Sequence, residues 1–194
     1  MAYSLPSLRR CNLLLLLLLL LFCCCSSTLL SPTSSYAKKP TELVESVCKN
    51  TTTYAFCVDS LYSDPRTPTA DAYVLAFVSF DLAYANATST EAYVRALLGR
   101  RRGSSRRDEY SRLLERCERL YGKAVSALAL ALNDLDSETY SELASYAADS
   151  AREAGDCQAA FRGTAFRSPL TRMNRDLRAL AGICIVVSNL FTAL

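Results

Sequence analysis

Residues 168–194, SPLTRMNRDLRALAGICIVVSNLFTAL, decide the fold. Leu170, Met173, Leu177, Leu180, Cys184, Val187, Phe191 and Leu194 recur alternately three and four positions apart without a miss. That spacing puts all eight on one face of an α-helix. Ser168 followed by Pro169 reads as an N-cap with proline at the first helical position. A helix with one apolar face must bury it against other elements.

Three more stripes upstream supply them. Leu114, Cys117, Tyr121, Val125, Leu128, Leu132 and Leu135 form one, and Tyr140, Leu143, Ala147, Ala151, Ala154 and Phe161 another. The earliest is Tyr73, Ala76, Phe77, Phe80, Ala83, Tyr84 and Ala87, behind a Thr67-Pro68 start. Ala, Leu, Glu and Arg, all good helix formers, fill the intervening positions, and no segment alternates like a strand. Four amphipathic helices with short connections predict an all-α fold, an antiparallel up-down-up-down four-helix bundle.

The chain of 194 residues begins with Arg9-Arg10, an unbroken apolar run over 13–22, and small residues before position 38. This order reads as a secretory signal peptide over 1–37, set aside from the fold. The domain expected is then 38–194, with 38–66 ahead of the bundle and 67–194 forming it. Its charge is close to balanced, with 20 basic and 19 acidic residues over 38–194. Net charge therefore points to no particular partner. Cys11, Cys23, Cys24 and Cys25 leave with the signal, and Cys48, Cys57, Cys117, Cys157 and Cys184 remain.

In a secreted chain, four of these five are expected in two bridges. Cys117 and Cys157 lie equidistant from residue 137, beside the turn signal Asn133, Asp134, Leu135, Asp136, Ser137. Two antiparallel helices folded there bring the two cysteines to one height. That leaves Cys48 and Cys57, which in a straight helix would stand about 13 Å apart, beyond the roughly 7 Å a disulfide spans. The chain must reverse between them, so a helical hairpin bent over Lys49 to Thr53 is expected. Four cysteines allow three pairings, and this one is an expectation from symmetry. Cys184, on the core face of the last stripe, reads as a buried free thiol.

The chain holds no histidine and no tryptophan. That excludes His-based triads and imidazole metal ligands. Asp134, Asp136 and Glu138 cluster where carboxylates complement a helix start, and no glycine-rich phosphate loop occurs. No enzyme, cofactor or metal is expected. Arg100, Arg101, Arg102, Arg106 and Arg107 read first as a solvated interhelix loop, then as a contact for an acidic partner or acidic wall polysaccharide; nucleic acid is not expected. Asn50-Thr51-Thr52 and Asn86-Ala87-Thr88 are N-glycosylation sequons, the first in the hairpin bend and the second inside a helix. No membrane anchor is expected in the mature form.

Cys48 to Cys57, Leu61, Asp64-Pro65, Asp71, Cys117, Tyr121 and the segment ASYAADSAREAGDCQAAF, followed by Ser168-Pro169-Leu170, resemble the plant invertase and pectin methylesterase inhibitors. The resemblance implies a disulfide-closed hairpin ahead of a four-helix bundle, with bridges one–two and three–four. It also implies a secreted protein of the apoplast, cell wall or vacuole that blocks the active-site cleft of one carbohydrate-active enzyme, one-to-one. Invertase inhibitors of this family typically carry Pro-Lys-Phe where this chain has Glu138-Thr139-Tyr140. The missing cation favours pectin methylesterase as target over acid invertase. Glu138 and Thr139 are expected to face solvent at the start of the third bundle helix, where proline would be tolerated. Tyr140 is expected in the core or as a target anchor. A helical carrier of a small apolar ligand is the more distant alternative.

Overall fold

A computed structural model describes residues 39–101 and 109–192, which form helices and turns. The proposed signal segment lies outside the described residues, as do Arg102, Arg106, Arg107 and Leu194. Among the described residues six α-helices follow one another: α1 (Glu42–Lys49), α2 (Tyr54–Tyr62), α3 (Ala72–Arg101), α4 (Glu109–Asp136), α5 (Leu143–Ala160) and α6 (Thr171–Thr192).

Helices α3 to α6 form the bundle. Each packs against its chain neighbours, and α3 closes the ring on α6. The up-down-up-down order follows from short connections between antiparallel neighbours. Side-chain contacts fix which ends meet. The Tyr73 hydroxyl donates to the Leu135 carbonyl (3.3 Å), tying the start of α3 to the end of α4. At the opposite end, Tyr110 packs edge-on against Phe161, ring centroids 6.1 Å apart, joining the start of α4 to the end of α5.

The core is aliphatic and follows the stripes. Leu114, Leu128, Leu135, Leu143, Leu177 and Cys184 are fully buried. At about 25 cal/mol per Å² of apolar surface, such burial dominates the favourable side of folding. Helix α3 buries a wider face than its stripe, adding Leu75 and Val78, because it meets α4, α6 and the hairpin at once. One polar network crosses this core. The Tyr121 hydroxyl donates to Asn174 Oδ1 (2.8 Å), and Asn174 Nδ2 donates to Gln158 Oε1 (2.8 Å). It links α4, α5 and α6 with each buried polar atom paired, as a buried network must be to avoid a desolvation cost. Burial raises the Tyr121 phenol well above its ordinary value.

The hairpin is α1 and α2, reversing over residues 50–53. Thr41 caps α1 by accepting the Val44 N–H (3.3 Å), and the Thr41 N–H donates to the Tyr62 hydroxyl (2.9 Å), closing the hairpin's foot. Cys48 and Cys57 are bonded, their Cα atoms 5.5 Å apart. Cys117 and Cys157 are bonded with Cα atoms 4.8 Å apart. Arg66 joins the hairpin to α3 by ion pairs with Asp64 (2.7 Å) and Asp81 (2.8 Å).

Three helix ends differ from the sequence reading. Thr67-Pro68 opens a short 3₁₀ turn (Thr67–Thr69), and α3 starts at Ala72. There Asp71 acts as the cap, its Oδ1 accepting the Val74 N–H (2.8 Å). Ser168 lies ahead of α6, its Oγ accepting only the Leu170 N–H (3.2 Å). The first α-type bond of α6 runs from the Asn174 N–H to the Leu170 carbonyl. Finally, Asn133 to Asp136, read as a turn, stay helical, and α4 runs to Asp136.

Candidate interaction site

Helix α4 ends in a Schellman motif. The Glu138 N–H donates to the Leu135 carbonyl (3.1 Å) and the Thr139 N–H to the Asp134 carbonyl (2.7 Å). Such a motif places its C′ residue in the left-handed region, where glycine is usual. Here that residue is Glu138, at φ 54°. Glu138, Thr139 and Tyr140 therefore sit in the α4–α5 connection and not on the third bundle helix, which begins at Leu143. Proline is not tolerated at Glu138: its ring fixes φ near −65° and removes the amide that bonds Leu135. The glycine-free sequence hid this turn.

Glu138 and Thr139 are exposed. Tyr140 is half-buried, stacked on Phe191 of α6 with ring centroids 4.5 Å apart and planes 20° from parallel. Tyr140 is thus held by the bundle at its rim. Desolvation, then the nearby Glu138 carboxylate and Tyr73, raise its phenol above the ordinary value. Tyr146, one turn into α5, is raised by desolvation and by Asp134 and Glu142. Around this turn stand Asp134, Asp136, Glu138 and Glu142, none in an ion pair with a described residue. The turn is an acidic, aromatic-backed knob able to meet a cationic surface.

Sequence reasoning missed a shallow groove between α4 and α5. Leu130 is half exposed beside Tyr146, with Arg119, Lys123 and Asp149 along the rim. Leu130 lies between two stripe positions, Leu128 and Leu132, so periodicity gave it no role.

Among the other candidates, Cys184 is a free, fully buried thiol, and burial pushes it far above its ordinary value. It is inert to acid–base and metal chemistry there. No group of carboxylates and cysteines among the described residues could hold a metal. Asn50 is exposed at the end of α1, its amide donating to the Ser46 carbonyl (2.8 Å). Asn86 sits within α3, its Oδ1 buried and without a hydrogen-bond partner. Arg100 is exposed at the far end of α3. No described helix is long and apolar enough to cross a membrane.

The described architecture is a disulfide-closed helical hairpin on an antiparallel four-helix bundle. The sequence profile described as "Plant invertase/pectin methylesterase inhibitor" matches residues 42–187. The chain belongs to that family, one of enzyme inhibitors and not of enzymes. It is 33% identical to "Cell wall / vacuolar inhibitor of fructosidase 2" of Arabidopsis thaliana over 146 residues, 74% of this chain and 79% of that one. It is 30% identical to "Pectinesterase inhibitor" of Actinidia deliciosa over 164 residues, 83% of this chain and 86% of that one. Its fold matches the crystal structure of mutant form A of a pectin methylesterase inhibitor from Arabidopsis, with a TM-score of 0.65 and 20% identity, covering 77% of this chain and 97% of that one.

Proposed function

We propose that this protein is a secreted inhibitor that occludes the active-site cleft of a plant cell-wall pectin methylesterase, one-to-one, in the apoplast. Family membership and relatives named as pectinesterase and fructosidase inhibitors support the inhibitory role. The observation that carries the choice of target is the α4–α5 turn. Its exposed charged groups are the carboxylates of Asp136, Glu138 and Glu142, beside the half-buried Tyr140, with no cation among residues 133–142. A turn of this charge is repelled by an active site lined with carboxylates, as an invertase's is, and like-charge contact at an interface costs several kcal/mol.

The test is paired inhibition of one purified pectin methylesterase and one purified acid invertase. Inhibition of the esterase and not of the invertase is expected. Thr139→Lys, at an exposed position with its backbone amide left in place, should raise inhibition of the invertase. An unaltered protein that inhibits only invertase would overturn the choice of target. The second reading, an inhibitor of acid invertase in the wall or vacuole, is favoured by the 33% identity to a relative named as an inhibitor of fructosidase.

A further inference from the structure

The near-zero net charge of residues 38–194 conceals a segregation along the bundle. Residues 87–101, 109–122 and 151–181 contain twelve arginines and no lysine against seven acids. Residues 40–86 and 123–150 contain three cations against eleven acids. The bundle's topology sorts these segments to opposite ends. Tyr110, Phe161 and Asn174 mark the arginine-rich end through their contacts across α4, α5 and α6. Tyr73, Tyr140 and Phe191 mark the acidic end, where the hairpin also packs against α6.

Within the arginine-rich end, one groove is built for more than solubility. It runs along the α5–α6 connection and is lined by Gln158, Phe161, Arg162, Phe166, Arg167 and their neighbours, with no carboxylate among them. Arg162 and Arg167 are exposed and make no ion pair with any described residue. Gly163, at φ 73°, turns the chain between them. Phe166 is exposed yet fixed, its ring 5.3 Å from that of Tyr110. The groove thus offers two unpaired guanidinium forks beside a held aromatic face, with an amide and hydroxyls for neutral polar groups.

We propose that this end is a docking surface for a polyuronate, a polysaccharide whose sugar rings carry free carboxylates. Guanidinium matches carboxylate in planar, two-bond geometry, and the aromatic face suits the apolar C–H side of a sugar ring. A single exposed ring in the loop provides no ladder for successive bases, as single-strand nucleic acid binding requires. The docking surface stands apart from the acidic turn, so it does not depend on the inhibitory reading. Where that reading holds, the two meet: hydrolysis of a pectin methyl ester leaves a carboxylate, so the inhibitor would collect on polymer its target has already processed.

The test measures binding of the intact protein to de-esterified polygalacturonate, to the same polymer fully methyl-esterified, and to a single-stranded DNA of matched length. Binding is expected to the de-esterified polymer only, and to vanish at 1 M salt, where charges are screened within about 3 Å. Arg162→Gln with Arg167→Gln should weaken it at least about ten-fold, since two charge-assisted contacts are lost. A melting curve matching the unaltered protein establishes that the variant is folded. Equal binding to esterified polymer, tighter binding to DNA, no binding at all, or an unchanged affinity in the variant would each overturn the proposal. Failed inhibition assays would leave a positive result standing, because no enzyme enters this measurement.

Discussion

Glu138 is the position at which one substitution most directly tests the turn geometry. Its φ of 54° puts a residue with a Cβ in the left-handed region, at a cost of about 1–2 kcal/mol. Glycine removes that cost but adds backbone freedom to the unfolded chain, worth roughly 0.5–1 kcal/mol. Glu138→Gly should therefore stabilise the protein by about 0.5–1 kcal/mol relative to Glu138→Ala. The alanine variant is the reference because it also lacks the exposed carboxylate, leaving only the backbone difference. At about 2–4 °C per kcal/mol for a domain of this size, the glycine variant should melt about 1–4 °C above the alanine one. Glu138→Pro should do the reverse, by about 3 kcal/mol or more. It forces φ to the wrong sign and deletes the N–H that bonds the Leu135 carbonyl at 3.1 Å. Thermal unfolding followed by circular dichroism, disulfides kept oxidised, reads all three. A glycine variant melting at or below the alanine variant would refute the left-handed turn, and with it the placement of Thr139 and Tyr140 outside α5.

The two disulfides should contribute unequally. Cys117–Cys157 spans 40 positions and Cys48–Cys57 only 9, so chain-entropy arguments give about 4 and about 2.7 kcal/mol. Urea unfolding of the two double-alanine variants should rank them in that order. Tyr121→Phe should cost about 1–3 kcal/mol by leaving the buried Asn174 amide short of a partner, read in the same assay. Hydrogen bonds from Arg66 hold the Asp64 carboxyl below its ordinary value. The stability it supplies is present above the unfolded-state pKa and is lost as pH falls through the lower folded one. Stability should accordingly drop in acid below about pH 4, and Arg66→Gln should flatten that part of the profile. In secreted material, peptide mapping should find glycan at the exposed Asn50 and none at Asn86, whose amide oxygen is buried within α3.

The bundle was legible because its information is periodic. Leu177, Leu180, Cys184 and Val187 face the core where the three-and-four spacing puts them, and hydrophobic burial outweighs any local detail over that length. Helix ends carry no such redundancy. One or two hydrogen bonds worth about 1 kcal/mol each decide them. Asp71 outcompeted Thr67 as the cap of α3, and Glu138 occupies a site whose usual mark is glycine. Asn174 was invisible for a related reason: a single polar residue beside a stripe reads as surface until Tyr121 and Gln158 are seen to meet it from two other helices. Charge was the most misleading of the sequence quantities. A balance of 20 against 19 is a sum, and a sum discards position. Because an antiparallel bundle returns the chain to the same end on alternate connections, charges far apart in sequence add there. Arg112, Arg162 and Arg172 gather at one end, while Asp71, Asp136 and Glu142 gather at the other. A protein with no net preference for cations or anions can then present a strong preference for each, at separate surfaces and toward separate partners.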